Sequence, residues 1–87
     1  MRNTDIILYQ AEWCGYCAHV RAALGQLLLD YRIVNVPRSH AERGIVKEVS
    51  GQTGIPTLVD GDVVIGDDDD AIVAYLIKKY GSTVSTR

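Results

Sequence analysis

The apolar run Asp5 to Gln10 leads almost directly into Cys14-Gly15-Tyr16-Cys17, and helical periodicity begins immediately behind it. This junction constrains the fold more than any other feature. The run is short, apolar and β-branched, which predicts a strand buried on both faces. From Cys17 the apolar positions Val20, Ala23, Leu24, Leu27 and Leu28 fall at i, i+3, i+4 spacing, predicting a helix to about Asp30. Two thiols one turn apart at a helix start can close a small disulfide ring. Unpaired N–H groups and the positive end of the helix dipole favour a thiolate there. Cys14, at or beside the N-cap, is the expected nucleophile, and Cys17, one turn in, faces the core. Thiolate attack by Cys14 on a disulfide gives a mixed disulfide, which Cys17 or a second small thiol resolves. Trp13 is expected to flank the sulfur as an apolar wall and Tyr16 as a partly exposed ring. Either aromatic is equally readable as surface packing.

The rest of the chain supplies partners for that unit. Tyr31 to Val36 reads as a second strand stopped by Pro37, giving a right-handed parallel βαβ unit. Ser39-His40-Ala41-Glu42 fits a capping box that starts a helix, with Ala41, Ile45 and Val49 on one face and Gly51 as its left-handed end. Thr57 to Val59 and Asp62 to Ile65 read as a hairpin around Asp60-Gly61, the two positive-φ positions of a type I′ turn. Gly66 and the aspartates after it open a last helix, with Ile72, Val73, Leu76, Ile77 and Tyr80 inward and Gly81 closing it. Residues 1–81 thus form one domain, and 82–87 are expected to be a flexible tail. The order βαβ-α-ββ-α, with Cys-x-x-Cys after the first strand and a proline before the third, is an α/β pattern. It matches a thioredoxin-like fold, a four-stranded mixed sheet with three helices.

Composition narrows the function. Nine basic against eleven acidic residues leave no electrostatic footprint for nucleic acid. No apolar stretch approaches the roughly 20 residues that span a bilayer, and Asp5 interrupts any secretory signal. A cytoplasmic, reducing compartment follows as the expectation, where two cysteines seldom form a permanent staple. A structural zinc site needs four ligands at suitable spacing. Beyond the two cysteines the chain offers only His19 and His40, both read as helix-surface residues, so no metal is expected.

Two further elements concern binding. Gly54-Ile55-Pro56-Thr57 places a proline between helix and strand, where a cis bond would turn the Ile55 backbone outward beside Cys14 as a short strand edge. A trans turn is the plainer alternative. Asp67-Asp68-Asp69-Asp70 reads first as helix capping, then as a clamp holding a carboxylate and an ammonium, and least as a divalent-metal site.

Taken together, Trp13-Cys14-Gly15-Tyr16-Cys17, Gly54-Ile55-Pro56-Thr57 and Gly66-Asp67-Asp68-Asp69 resemble the glutaredoxin family, from about Thr4 to Tyr80. The first motif is especially similar to mycoredoxins, relatives that use mycothiol. The resemblance implies reduction of protein disulfides and of mixed disulfides with a small thiol, glutathione or another, as co-substrate, with no bound cofactor. It makes Cys14 the nucleophile and Cys17 the resolving thiol. Trp13, Tyr16, Ile55, cis Pro56, Asp68 and Asp69 would bind the thiol substrate, with Asp67 the variable position. Partners would be the small thiol and disulfide-containing proteins, met by a monomer, with neither nucleic acid nor membrane. Three positions depart from the family. Ala11 stands where a lysine is frequent, Gly54 where threonine is usual, and Ile65 where the first of two glycines belongs. Arg38, Arg43 and Lys47 are the candidates to replace the missing charge. Other readings stay open: a glutaredoxin bridging a 2Fe–2S cluster, which Gly15 permits, and a redoxin recharged by thioredoxin reductase. The N-terminal domain of a glutathione transferase is the weakest, since a Cys-x-x-Cys is atypical there and no helical second domain follows.

Overall fold

A computed structural model describes residues 2–85, with 82–85 as backbone alone. The elements are β1 (Ile6–Gln10), α1 (Gly15–Gln26), β2 (Arg32–Asn35), a 3-10 turn (His40–Glu42), α2 (Gly44–Ser50), β3 (Thr57–Asp60), β4 (Val63–Gly66) and α3 (Asp69–Ser85). The sheet order is β2-β1-β3-β4, with β1 parallel to β2 and the other pairs antiparallel. This is the mixed four-stranded sheet with three helices that the pattern of the chain predicts.

Strand alternation divides the core in two. Ile6 and Leu8 point to one face and pack with Val20 and Leu24 of α1, Leu58 of β3, and Ile72 and Leu76 of α3. Tyr9 points to the other and joins Ala11, Val36, Val46 of α2, Ile55 and both cysteines. A fully buried aliphatic side chain contributes about 1.5–3 kcal/mol, so the α1/α3 face, rich in leucine and isoleucine, carries most of the stabilisation. The smaller face holds the thiols.

Several local expectations are corrected. α1 ends at Gln26 in a Schellman arrangement, in which the N–H of Leu28 bonds Gly25 and that of Leu29 bonds Leu24. Leu28 takes φ +58 and lies half exposed rather than inward. Ser39 makes no side-chain cap, and only a single 3-10 turn forms before α2 starts at Gly44. The cause is Arg43, whose buried guanidinium binds the carbonyls of Pro37, Arg38 and Thr53. That anchor rotates α2 so that Val46 is buried while Ala41 and Ile45 are exposed. Gly51 does end α2 at φ +79.

In the hairpin Asp60 pairs with Val63, so the two-residue loop is Gly61-Asp62. Only Gly61 has positive φ, the type II′ pattern rather than I′. Asp60 belongs to the strand because its buried carboxylate accepts from Tyr75, Tyr80 and Lys79 of α3. α3 begins at Asp69 and buries Ile72 and Leu76, whereas Ile77 is exposed and the helix runs through Gly81 to Ser85. The part of the expected tail at 86–87 lies outside the described residues. No helix among the described residues is long and apolar enough to cross a membrane.

Candidate functional site

Cys14 is the N-cap of α1, in extended backbone at φ −82° and ψ 118°. Its sulfur accepts the Cys17 N–H at 3.2 Å, one of the donors a helix start leaves unpaired. Cys17 is fully buried and Cys14 is 7% exposed, which matches the predicted asymmetry. Burial, and then the hydrogen bond to the Cys14 sulfur, push the Cys17 thiol up to about 12. Arg21 and the Ala11 backbone oppose this without reversing it. Cys17 is therefore a thiol, not a thiolate, at neutral pH.

The turn before Cys14 is held from behind by a network that sequence reasoning missed. Gln10, fully buried at the end of β1, donates to Glu12 at 2.8 Å and to Asn35, and accepts from the Arg21 guanidinium. Arg21 also reaches the Ala11 carbonyl. The available signal was an amide closing an otherwise apolar strand, since a buried amide needs partners.

The Ile55–Pro56 peptide is cis. Ladder pairing of β3 begins at Thr57, and among the described residues the N–H and C=O of Ile55 make no hydrogen bond. Gln52 braces the approach to this loop: it accepts from the Gly54 N–H and donates to the Thr57 hydroxyl at 3.0 Å. A groove runs past these groups, lined by Trp13, Cys14, Tyr16, His40, Arg43, Gly54, Ile55 and Asp67, and continues over Pro56 to Asp69. A wider depression lies between residues 3–7 and 30–32, but it contains neither cysteine nor histidine. The chemistry belongs to the groove.

The four aspartates separate. Asp67, read from the sequence as the variable position, faces the groove at φ +55, its N–H bonded to the Pro56 carbonyl at 2.8 Å. Asp68 caps α3 by accepting the Ala71 N–H at 3.0 Å and does not line the groove. Asp69 lines it and pairs with His19 at 2.6 Å, tying α3 to α1. Asp70 is exposed. His40, expected on a plain helix surface, instead sits on the groove wall, hydrogen-bonded to Thr53. Trp13 and Tyr16 are 53% and 68% exposed at its rim.

Of the three candidate cations, Arg43 lines the groove with its guanidinium held by backbone carbonyls and the His40 ring, and Lys47 lies on the exposed side of α2. Arg38 stacks its guanidinium 4.3 Å above the Trp13 ring.

The Glutaredoxin family model matches residues 6–65. A glutaredoxin-type protein of Mycobacterium tuberculosis is 29% identical over 84 residues, covering 93% of this chain and all of the relative. Glutathione S-transferase Z1 of Arabidopsis thaliana is 42% identical over 71 residues, 78% of this chain but 32% of the transferase. A glutathione transferase homologue from Drosophila mojavensis, solved with glutathione bound, superposes with a TM-score of 0.81 and 32% identity. That match covers 90% of this chain and 36% of the homologue, so the chain spans about a third of the transferases it resembles.

Proposed function

The chain belongs to the glutaredoxin family, and on that footing we propose that it is a dithiol thiol–disulfide oxidoreductase acting through Cys14 and Cys17. The observation that carries this reading is the Cys14 sulfur at a helix N-cap, opening onto a groove walled by the free backbone of Ile55. In the first step the Cys14 thiolate attacks one sulfur of a disulfide. A Cys14–sulfur bond forms as the substrate bond breaks, and the other half leaves as thiolate. In the second, Cys17 attacks the Cys14 sulfur while its proton passes to the departing thiolate. The protein dithiol is thereby oxidised by two electrons and the substrate becomes two thiols. Keeping Cys17 protonated until this point leaves Cys14 the attacking group, because the thiolate is the nucleophile.

Trp13, Tyr16, Ile55, Pro56 and Asp69 form the binding wall for the substrate thiol, joined by Asp67 in place of Asp68. Glutathione is the proposed co-substrate, supported by the glutathione-bound Drosophila homologue. The partners are disulfide-containing proteins in a reducing compartment such as the cytoplasm, met by the monomer.

Re-equilibration of the oxidised protein in a glutathione redox buffer tests this, with Trp13 emission and thiol trapping as readouts. Exchange through a mixed disulfide on Cys14 is expected, lost in Cys14→Ser and partly kept in Cys17→Ser. Equal residual exchange in both variants would refute the assignment. The Arabidopsis similarity favours a second reading, a glutathione-binding domain of transferase type. That reading predicts conjugation of glutathione to an electrophile without consumption of disulfide.

A further inference from the structure

Cys17 must attack from a position that opposes attack. It is fully buried, with Tyr9, Ala11, Val36, Val46 and Ile55 packed around it, and burial keeps its thiol protonated at neutral pH. An attacking sulfur needs thiolate character, which such surroundings penalise. Burial alone would leave it a poor nucleophile.

A cation stands behind it. Arg21 lies four residues on, one turn along the same face of α1. Its guanidinium donates to the side chain of the fully buried Gln10 and to the Ala11 carbonyl at 3.4 Å. That same carbonyl receives the Cys14 N–H at 3.2 Å. Gln10 is bonded in turn to Glu12 and Asn35, so a chain of hydrogen bonds fixes where the guanidinium sits. Among the described residues no carboxylate forms an ion pair with Arg21, and Glu12 is engaged by Gln10 instead. The Arg21 charge and the Ala11 backbone both favour the Cys17 thiolate, against burial and the neighbouring Cys14 sulfur. Arg21 lines neither stretch of the groove, so a substrate there does not meet it.

Resting on the reading of Cys14 and Cys17 as the exchanging pair, we propose that Arg21 is a positioning residue for the resolving step, its fixed charge promoting the attack of Cys17 on the Cys14 mixed disulfide. In that step the Cys17 proton goes to the leaving thiolate, the Cys14–Cys17 bond forms and the bond to the substrate half breaks. Arg21 gives up no proton and stays charged throughout. It stabilises the negative charge that develops on the Cys17 sulfur. The first step, made by Cys14 at the groove, does not depend on it.

Separating the two steps tests this, with hydroxyethyl disulfide as a neutral probe. The first step is the second-order rate of mixed-disulfide formation in a Cys17→Ser background. The second is first-order closure of the same mixed disulfide in the dithiol protein, followed by acid quench and mass spectrometry. Losing the charge trades about tenfold less Cys17 thiolate for an about threefold better nucleophile. Arg21→Gln and Arg21→Met, two charge-free variants, are therefore expected to slow closure about three- to tenfold and leave the first step within about twofold. Arg21→Lys keeps most of the closure rate. Unchanged closure in the charge-free variants would overturn the proposal. Equal slowing of both steps would do so too, because Arg21 would then only hold the turn through Ala11. An Arg21→Lys protein as slow as Arg21→Met would exclude charge as the cause. A wild-type protein that forms no mixed disulfide on Cys14 would instead remove the exchange reading, and this inference with it.

Discussion

Asp67 fills the space above Gly54. A Cβ built on Gly54 would lie 2.2 Å from the Asp67 Cγ and 2.5 Å from each carboxylate oxygen, closer than real atoms approach. The two positions are coupled, and Gly54 is what admits an acidic group to the groove. Gly54→Ala must turn that exposed carboxylate aside and is expected to cost about 0.5–1.5 kcal/mol, the range of a side chain forced off its rotamer. Asp67→Gly removes the obstacle and relieves a left-handed residue at φ +55. The double variant should recover most of the loss, and a double-mutant cycle in urea reads the coupling. Additive effects would mean the contact is absent in solution.

Cys17 makes the protein lose stability toward alkaline pH. Its thiol is raised from an ordinary 9.0 to about 12, chiefly by burial. Above pH 9 the unfolded chain releases this proton while the folded protein retains it. Folding stability conferred by the neutral thiol is therefore complete below pH 9 and declines from there toward pH 12. Denaturation of the reduced protein between pH 7 and 10 should show the decline, and Cys17→Ala should lose its steepest part. Alkylation at pH 7 should label Cys14 and spare Cys17.

Asp60 governs the acid side. Burial alone would raise its carboxyl, but hydrogen bonds from Tyr75, Tyr80 and Lys79 outweigh this and hold it below its usual 3.8. Its contribution is present above that value and is lost as pH falls through the lower folded value. Asp60→Asn keeps the shape but removes the charge that three donors address, and should cost about 1.5–3 kcal/mol at pH 7. Urea midpoints at pH 7, 4 and 3 should converge for the two proteins only at the acid end.

Gly15 can become proline. It is the first residue of α1, a Cβ there meets nothing within 4 Å, and Cys14 before it is already extended. Gly15→Pro should stabilise the reduced protein by about 0.4–1 kcal/mol through the unfolded state. Thermal unfolding of the two reduced proteins measures it, and a loss of stability would show that the first turn of α1 needs the freedom of glycine.

What the sequence determined by itself is the architecture and the thiol pair. Period-two and period-3.6 apolar patterns are local signals, and they specify β1, α1 and the sheet partners of β1 before any packing is known. Cys14 at the N-cap and Pro56 before β3 follow from the same local grammar, because caps and strand starts are read within a few residues.

Tertiary structure alone decided the rest, because those outcomes depend on groups far apart in sequence. Arg43 cancels the apparent capping box at Ser39 by finding carbonyls at Pro37 and Thr53. Asp60 moves out of its turn because Tyr75 and Tyr80 claim it. Among the four aspartates the periodicity is silent, and the vacancy at Gly54 draws Asp67 to the groove while Asp68 caps the helix. The stacking of Arg38 on Trp13 was likewise illegible, since it depends on a loop that the buried Arg43 braces from a different element. Local patterns encode which elements form. The partners of polar side chains are settled by long-range desolvation, which leaves no periodic trace in the chain.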